Sequence, residues 1–225
     1  MVSVYTMPKF PLIALAQIIL LAARLSAGET TGDLIARLAK AAPAGGVVAD
    51  FRETKSLALL RNPVVETGTL AYLQPDFFRR TVKSPVESTM LFDGESLWVI
   101  FPGENLAERY PARTNRAIRD SLAGISAIWD IVRLKQRFHV ESGIENGNHV
   151  LKLTPRERSL RKTLSGVVVT LDSALKLREI RIETVDGNCS RIEILRERPA
   201  NLTPRDFHFD PQEGGYHVVA PLGTH

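Results

Sequence analysis

One cysteine, Cys189, stands alone in 225 residues, so the chain cannot form an internal disulfide. It follows an Asp186-Gly187-Asn188 turn at the start of a strand-like run, with no histidine or motif beside it, and reads as a small strand residue rather than a reactive thiol. Histidine is scarce as well. His139, His149, His208, His217 and His225 are scattered, and none has the His-x-x-x-His spacing that sets two ligands on one face, so no metal or cofactor is expected. A Gly-x-Ser-x-Gly elbow and a phosphate-cradling glycine loop are both missing, and Ser96 in Gly94-Glu95-Ser96 reads as a hairpin hydroxyl. Carboxylates alternate with arginine along strand faces, as in Arg191-Ile192-Glu193, where cross-strand pairing is a sufficient account. These absences point away from an enzyme. Charge of one sign is lacking too. Lysine and arginine number 29 against 25 acids, a mixed surface without the basic stripe of a nucleic-acid binder.

What is present begins at the N-terminus. Lys9 gives one positive charge, Phe10–Ala23 follows as 14 residues whose only polar member is Gln17, and Leu25-Ser26-Ala27 offers a small residue before Gly28. That order is expected of a cleaved Sec signal peptide over residues 1–27, which exports the chain from the cytoplasm. The run falls short of the ~20 residues that cross a bilayer, and Arg24 cuts it off; a retained signal anchor is the alternative. No cysteine follows the run, so the chain is not lipidated there. The full chain is 44% hydrophobic, and cleavage leaves residues 28–225, long enough for one domain with a sizeable core.

One helix opens that domain. Leu34, Ile35, Leu38, Ala41 and Ala42 recur at helical spacing, Thr31 or Asp33 can cap the start, and Pro43-Ala44-Gly45-Gly46 ends it. Short runs of β-branched and aromatic residues then predict strands near 47–59, 64–73, 77–83, 86–92 and 96–101. The breaks fall at Asn62-Pro63, Gln74-Pro75-Asp76, Ser84-Pro85 and Asp93-Gly94. Asp93-Gly94 is the strongest hairpin signal, because glycine accepts the positive φ such turns require. Ile118, Leu122, Ile125, Trp129 and Val132 draw one apolar stripe along a helix, which Gly124 can divide into two. Strands resume near 137–142, 149–154, 164–171, 175–185 and 189–197, joined by short polar turns. Short turns without intervening helices imply antiparallel neighbours. The expected fold is mainly β, about ten antiparallel strands that curl toward a barrel or split into a sandwich.

Alternation divides the strands. Ile180 and Ile182 alternate with Arg181 and Glu183, and Ile192 and Ile194 with Arg191 and Glu193, giving one wet and one dry face. Thr89–Phe92, Leu97–Phe101 and Val167–Val169 are apolar on both faces and must be covered on both, by a second layer or by a ligand. The residues alone do not separate a packed barrel from a hollow one.

Several stretches in order resemble the LolA-type outer-membrane lipoprotein carriers. They are Phe51-Arg52-Glu53-Thr54-Lys55, Gly68 to Arg79, Leu91 to Trp98, Phe138-His139-Val140, Leu151-Lys152-Leu153-Thr154-Pro155 and Asp206-Phe207-His208-Phe209, covering about residues 30–210. The resemblance implies an unclosed antiparallel half-barrel with helices as a lid over a hydrophobic cavity. It implies a function in taking acyl chains of lipoproteins or related lipids from an inner-membrane transporter and passing them to an outer-membrane receptor. A monomer is expected, with no nucleic-acid partner. The family typically places an arginine before the proline that ends the second strand, where it holds the lid; Gln74 stands there instead, with fewer donors and no charge. Cavity lining is expected from Leu70 and Tyr72, which share the Gln74 face by alternation, and from Phe51, Met90, Trp98 and Ile100. Ile118, Leu122, Ile125 and Trp129 are expected in the lid. Plain core packing is the alternative for each. The competing function is a lipid- or envelope-stress-sensing module that regulates a partner protein.

Overall fold

The computed structural model describes residues 30–41, 45–112 and 135–221. The predicted signal peptide and the predicted lid helix over Ile118–Val132 lie outside the described residues. The first helix, α1, spans Thr31–Ala41. Its cap is Thr30, one residue earlier than expected: the Asp33 N–H donates to Thr30 Oγ1 at 3.2 Å, and the Thr30 N–H donates to the Asp33 carboxylate at 3.3 Å. Two donors that the helix start would leave open are satisfied reciprocally. Leu34 and Ile35 are buried, and Thr31 Oγ1 and Ser142 Oγ share a hydrogen bond of 2.7 Å that ties the helix to the sheet.

Twelve strands form one sheet. They are β1 (Val47–Ser56), β2 (Val64–Leu73), β3 (Phe77–Ser84), β4 (Ser88–Phe92), β5 (Ser96–Phe101), β6 (Leu106–Pro111), β7 (Phe138–Glu145), β8 (Asn148–Pro155), β9 (Leu164–Leu171), β10 (Leu177–Thr184), β11 (Cys189–Pro199) and β12 (His217–Val219). The order across the sheet is β12-β6-β5-β4-β3-β2-β1-β11-β10-β9-β8-β7. Every pairing is antiparallel except β12 with β6. The pairing of β1 with β11 joins the two meanders at the centre, while β12 and β7 remain as edges, so the half-barrel is unclosed. The expected count of ten strands is short by two. Leu106–Pro111 carries a charged pair and a proline, and His217–Val219 is three residues long. Both owe their extended form to the neighbour they pair with rather than to a local pattern.

The sheet has an apolar cluster on each face. The face that carries α1, here the inner face, gathers Phe51, Leu70, Phe78, Val82, Phe92, Phe138, Leu151, Val167, Ile180 and Ile194 with Leu34 and Ile35. The outer face gathers Ala71, Leu73, Leu91, Trp98, Ile100 and Ala107 around Phe207. The C-terminal segment seals this second cluster. Phe207 sits in a 3-10 turn over Pro204–Phe207 whose start is held by Thr203 and Asp206. Its ring lies 5.6 Å from Phe77, and Phe209 packs 5.2 Å from Trp98 and 5.3 Å from Tyr216. Arg79 Nη1 donates to the Asp206 carbonyl at 2.9 Å, clipping the segment to β3.

Candidate functional site

The predicted cavity residues divide between the two faces. Phe51 and Leu70 are buried on the inner face, and Met90 packs half-buried against them. Tyr72 shares the Leu70 face by alternation and is buried, its hydroxyl donating to the Pro75 carbonyl at 3.1 Å. Gln74 lies beyond the end of β2 in the turn to β3, exposed, with a cis peptide to Pro75.

Trp98 and Ile100 stand on the outer face, opposite to the placement expected for them. Trp98 pairs with Leu91 across β4 and β5, which puts Leu97 and Val99 inward. A strand apolar on both sides leaves its parity open, and the indole goes outward because the C-terminal segment covers that side. Its Nε1 donates to the Asp93 carboxylate at 3.0 Å, and Arg109 stacks over its ring at 5.5 Å. The same Asp93 accepts from the Glu95 and Ser96 N–H groups, so one carboxylate holds the hairpin and orients the tryptophan. Ser96 is buried and accepts from Arg109 Nε at 3.0 Å, a structural role.

On strands β4 to β6 the outer side chains Leu91, Trp98, Ile100 and Ala107 are buried by the chain's own C-terminal segment. Of their inner side chains Phe92 is buried, while Met90, Leu97, Val99 and Tyr110 are only half-buried. The less covered apolar surface of these strands faces inward.

Sequence reasoning missed a charged cluster on that inner face. Arg80 Nη2 donates to Glu53 and, at 2.6 Å, to Glu66. Lys55 Nζ reaches the other Glu66 oxygen at 2.6 Å, and the Ser190 hydroxyl donates to Glu53. Glu53 is 6% exposed. Burial pushes the Glu66 carboxyl up, but the hydrogen bonds and charges of Lys55 and Arg80 outweigh it, so its pKa lies below the ordinary value. Two cations and two anions leave the cluster neutral. The signal that could have found it is parity: Arg80 stands two residues from buried Phe78 and Val82, and Glu53 two from Phe51, so both charges share an apolar face. Among the described residues no group of histidine, cysteine or carboxylate side chains could hold a metal ion.

Glycine shapes this neighbourhood. Phe51 pairs with Gly68 across β1 and β2, where a Cβ would lie 3.0 Å from Phe51 Cε1 and 1.9 Å from the Thr81 carbonyl oxygen. The missing side chain lets the Phe51 ring lie over β2, with the Arg80 guanidinium 4.8 Å from its centroid.

Comparison with known proteins gives a consistent assignment. The family described as outer membrane lipoprotein carrier protein LolA matches residues 44–210. An outer-membrane lipoprotein carrier protein of Bordetella pertussis is 25% identical over 171 residues, covering 75% of this chain and 78% of that protein. One from Proteus mirabilis is 25% identical over 150 residues, covering 65% and 68%. Among solved structures, an uncharacterized conserved protein from Thermus thermophilus superposes with a TM-score of 0.52 at 11% identity, over 84% of this chain and 99% of that one, a likeness of fold.

Proposed function

The chain belongs to the LolA family of outer membrane lipoprotein carriers, and from that premise we propose that it is a periplasmic carrier that shelters acyl chains of lipoproteins or related lipids against the inner face of its sheet. The observation that carries the reading is the unequal covering of β4 to β6. These strands are sealed outside by the C-terminal segment, while Met90, Leu97 and Val99 on the inside are half-buried. Apolar side chains left partly open on the α1-bearing face of an open sheet suit a flexible apolar occupant. An acyl chain gains about 0.8 kcal/mol per CH₂ removed from water, enough to need enclosure in an aqueous compartment. Phe51, Leu70, Tyr72 and Met90 are the proposed lining, with Leu97 and Val99 in place of Trp98 and Ile100. The lid residues Ile118, Leu122, Ile125 and Trp129 complete the enclosure in this reading, and export through residues 1–27 brings the chain to the compartment where the cargo crosses. Passage between an inner-membrane transporter and an outer-membrane receptor is the corresponding route, and no catalytic step is needed.

The test is to purify the protein from the periplasm of its native host and identify bound lipid by mass spectrometry, with displacement of a fluorescent fatty acid measured in parallel. Recovery of acylated protein or lipid, together with displacement, supports the carrier. Absence of both overturns it.

A further inference from the structure

We propose that one end of the sheet, formed by the β1–β2, β3–β4, β8–β9 and β10–β11 connections, docks on a bilayer rich in anionic phospholipid and sets Leu59 and Leu60 among its head groups. The registers place these four connections together: β1, β3, β8 and β10 all end there, and β2, β4, β9 and β11 all start there. Hydrogen bonds knit neighbouring connections. The Ala58 N–H donates to Asn188 Oδ1 at 2.8 Å, and the Val185 N–H donates to the Thr163 carbonyl at 3.1 Å.

Large aliphatic side chains stand in water at this end. Leu59 is 97% exposed, Val86 66%, Val185 55% and Leu60 51%. The outer cluster has its own cover in the C-terminal segment, whereas these four side chains protrude from three of the four connections. Exposed aliphatics gathered in this way mark a contact surface. The same end carries exposed bases, Arg61 beside Leu60 and Arg156, Arg158, Arg161 and Lys162 in the β8–β9 connection. Of the acids at this end, Glu157 is paired with Arg137 at 3.1 Å, and Asp186 is occupied by Thr184 and Asn188 of its own turn, leaving Glu87 beside Val86 and Glu104 in the neighbouring β5–β6 connection. The β2–β3, β4–β5 and β9–β10 connections at the opposite end carry Asp76, Asp93, Glu95, Asp172 and Lys176, with Asp172 paired to Arg178 at 2.6 Å and Asp93 held in its hairpin. Among the described residues, the four connections of the first end therefore combine exposed aliphatic tips with an excess of exposed bases.

That pairing of chemistries fits an anionic bilayer. Phosphates attract the arginines, and short aliphatic tips enter the head-group layer without the long apolar run a span would need. The inference goes beyond the carrier reading and uses none of the inner-face residues.

A local probe tests it. In the full chain carrying Cys189→Ser, a single cysteine is placed by Leu59→Cys or, at the opposite end, by Ser173→Cys, and labelled with the environment-sensitive fluorophore NBD. Vesicles are phosphatidylcholine alone or mixed with phosphatidylglycerol. The Leu59 label is expected to shift to the blue on anionic vesicles only, and the Ser173 label to stay unchanged. Arg158→Glu with Arg161→Glu, both exposed, is expected to raise the vesicle concentration needed by about fivefold or more per residue. No shift at position 59, an equal shift at position 173, or an equal shift on neutral vesicles overturns the proposal. Displacement of a fluorescent fatty acid from the same proteins without vesicles reads acyl binding separately. Binding kept while the shift is lost defeats the docking alone; the reverse defeats the carrier reading alone.

Discussion

The guanidinium of Arg80 lies 4.8 Å above the ring of Phe51 while its Nη2 serves Glu53 and Glu66. A permanently charged group is thus held inside an apolar face by one aromatic ring and two carboxylates. Its removal strands the buried Glu53. Arg80→Met is expected to cost about 3 kcal/mol in urea unfolding, since a buried charge without its partner is worse than no pair. Adding Glu53→Gln and Glu66→Gln to that variant is expected to restore most of the loss. A triple variant no more stable than Arg80→Met would show that the arginine acts through packing on Phe51 alone.

The same cluster sets a pH dependence. Burial raises the Glu66 pKa, and Lys55 and Arg80 more than reverse this, leaving it below the ordinary 4.5. A carboxyl depressed in the folded state binds its proton more weakly there than in the unfolded chain. Its contribution is fully present above about pH 4.5 and is lost as pH falls through the lowered folded value. Unfolding curves taken from pH 6 downward are expected to show Glu66→Gln less stable than the parent at pH 6 and converging with it in acid. Parallel curves over the whole range would contradict the sign.

Much of the fold was legible because period and punctuation agreed. The predicted runs 64–73, 96–101 and 164–171 coincide with β2, β5 and β9, each bounded by turn formers and rich in β-branched or aromatic residues. The site was less legible for two physical reasons. Strand parity is set by which face is covered, and at Trp98 the cover comes from Phe207 and Phe209, more than a hundred residues away. The charged cluster is also assembled across strands: Ser190 and Glu53 meet through the β1–β11 pairing, which no local pattern announces. Gln74 shows the opposite limit. Its position before Pro75 was plain, but it sits in the turn rather than on the strand face.

Gly68 offers a steric test. A Cβ there would meet the Thr81 carbonyl oxygen at 1.9 Å, a backbone atom that moves only if β2 and β3 part. Gly68→Ala is expected to cost about 3 kcal/mol or more, or to prevent folding. Gly143→Ala, on β7 where nothing lies within 4 Å of the added carbon, is expected to change stability by less than about 1 kcal/mol. Circular dichroism during thermal unfolding of both proteins makes the comparison.

The two faces of β4 and β5 allow binding to be separated from folding. Met90 is half-buried on the inner face, in the surface proposed to hold acyl chains, while Ile100 is 6% exposed on the outer face under the C-terminal segment. Met90→Asp places a charge beside the proposed ligand at a site that retains access to water. It is expected to weaken fluorescent fatty-acid binding at least tenfold, about 1.4 kcal/mol, with folding retained. Ile100→Ala removes buried volume from the sealed face and is expected to lower stability by about 2–5 kcal/mol, with the affinity of the folded protein unchanged. Titration under conditions where circular dichroism reports both variants folded decides the matter. If Ile100→Ala weakened binding and Met90→Asp did not, the ligand surface would belong to the outer face, and Trp98 with Phe209 would have to be a gate rather than a seal.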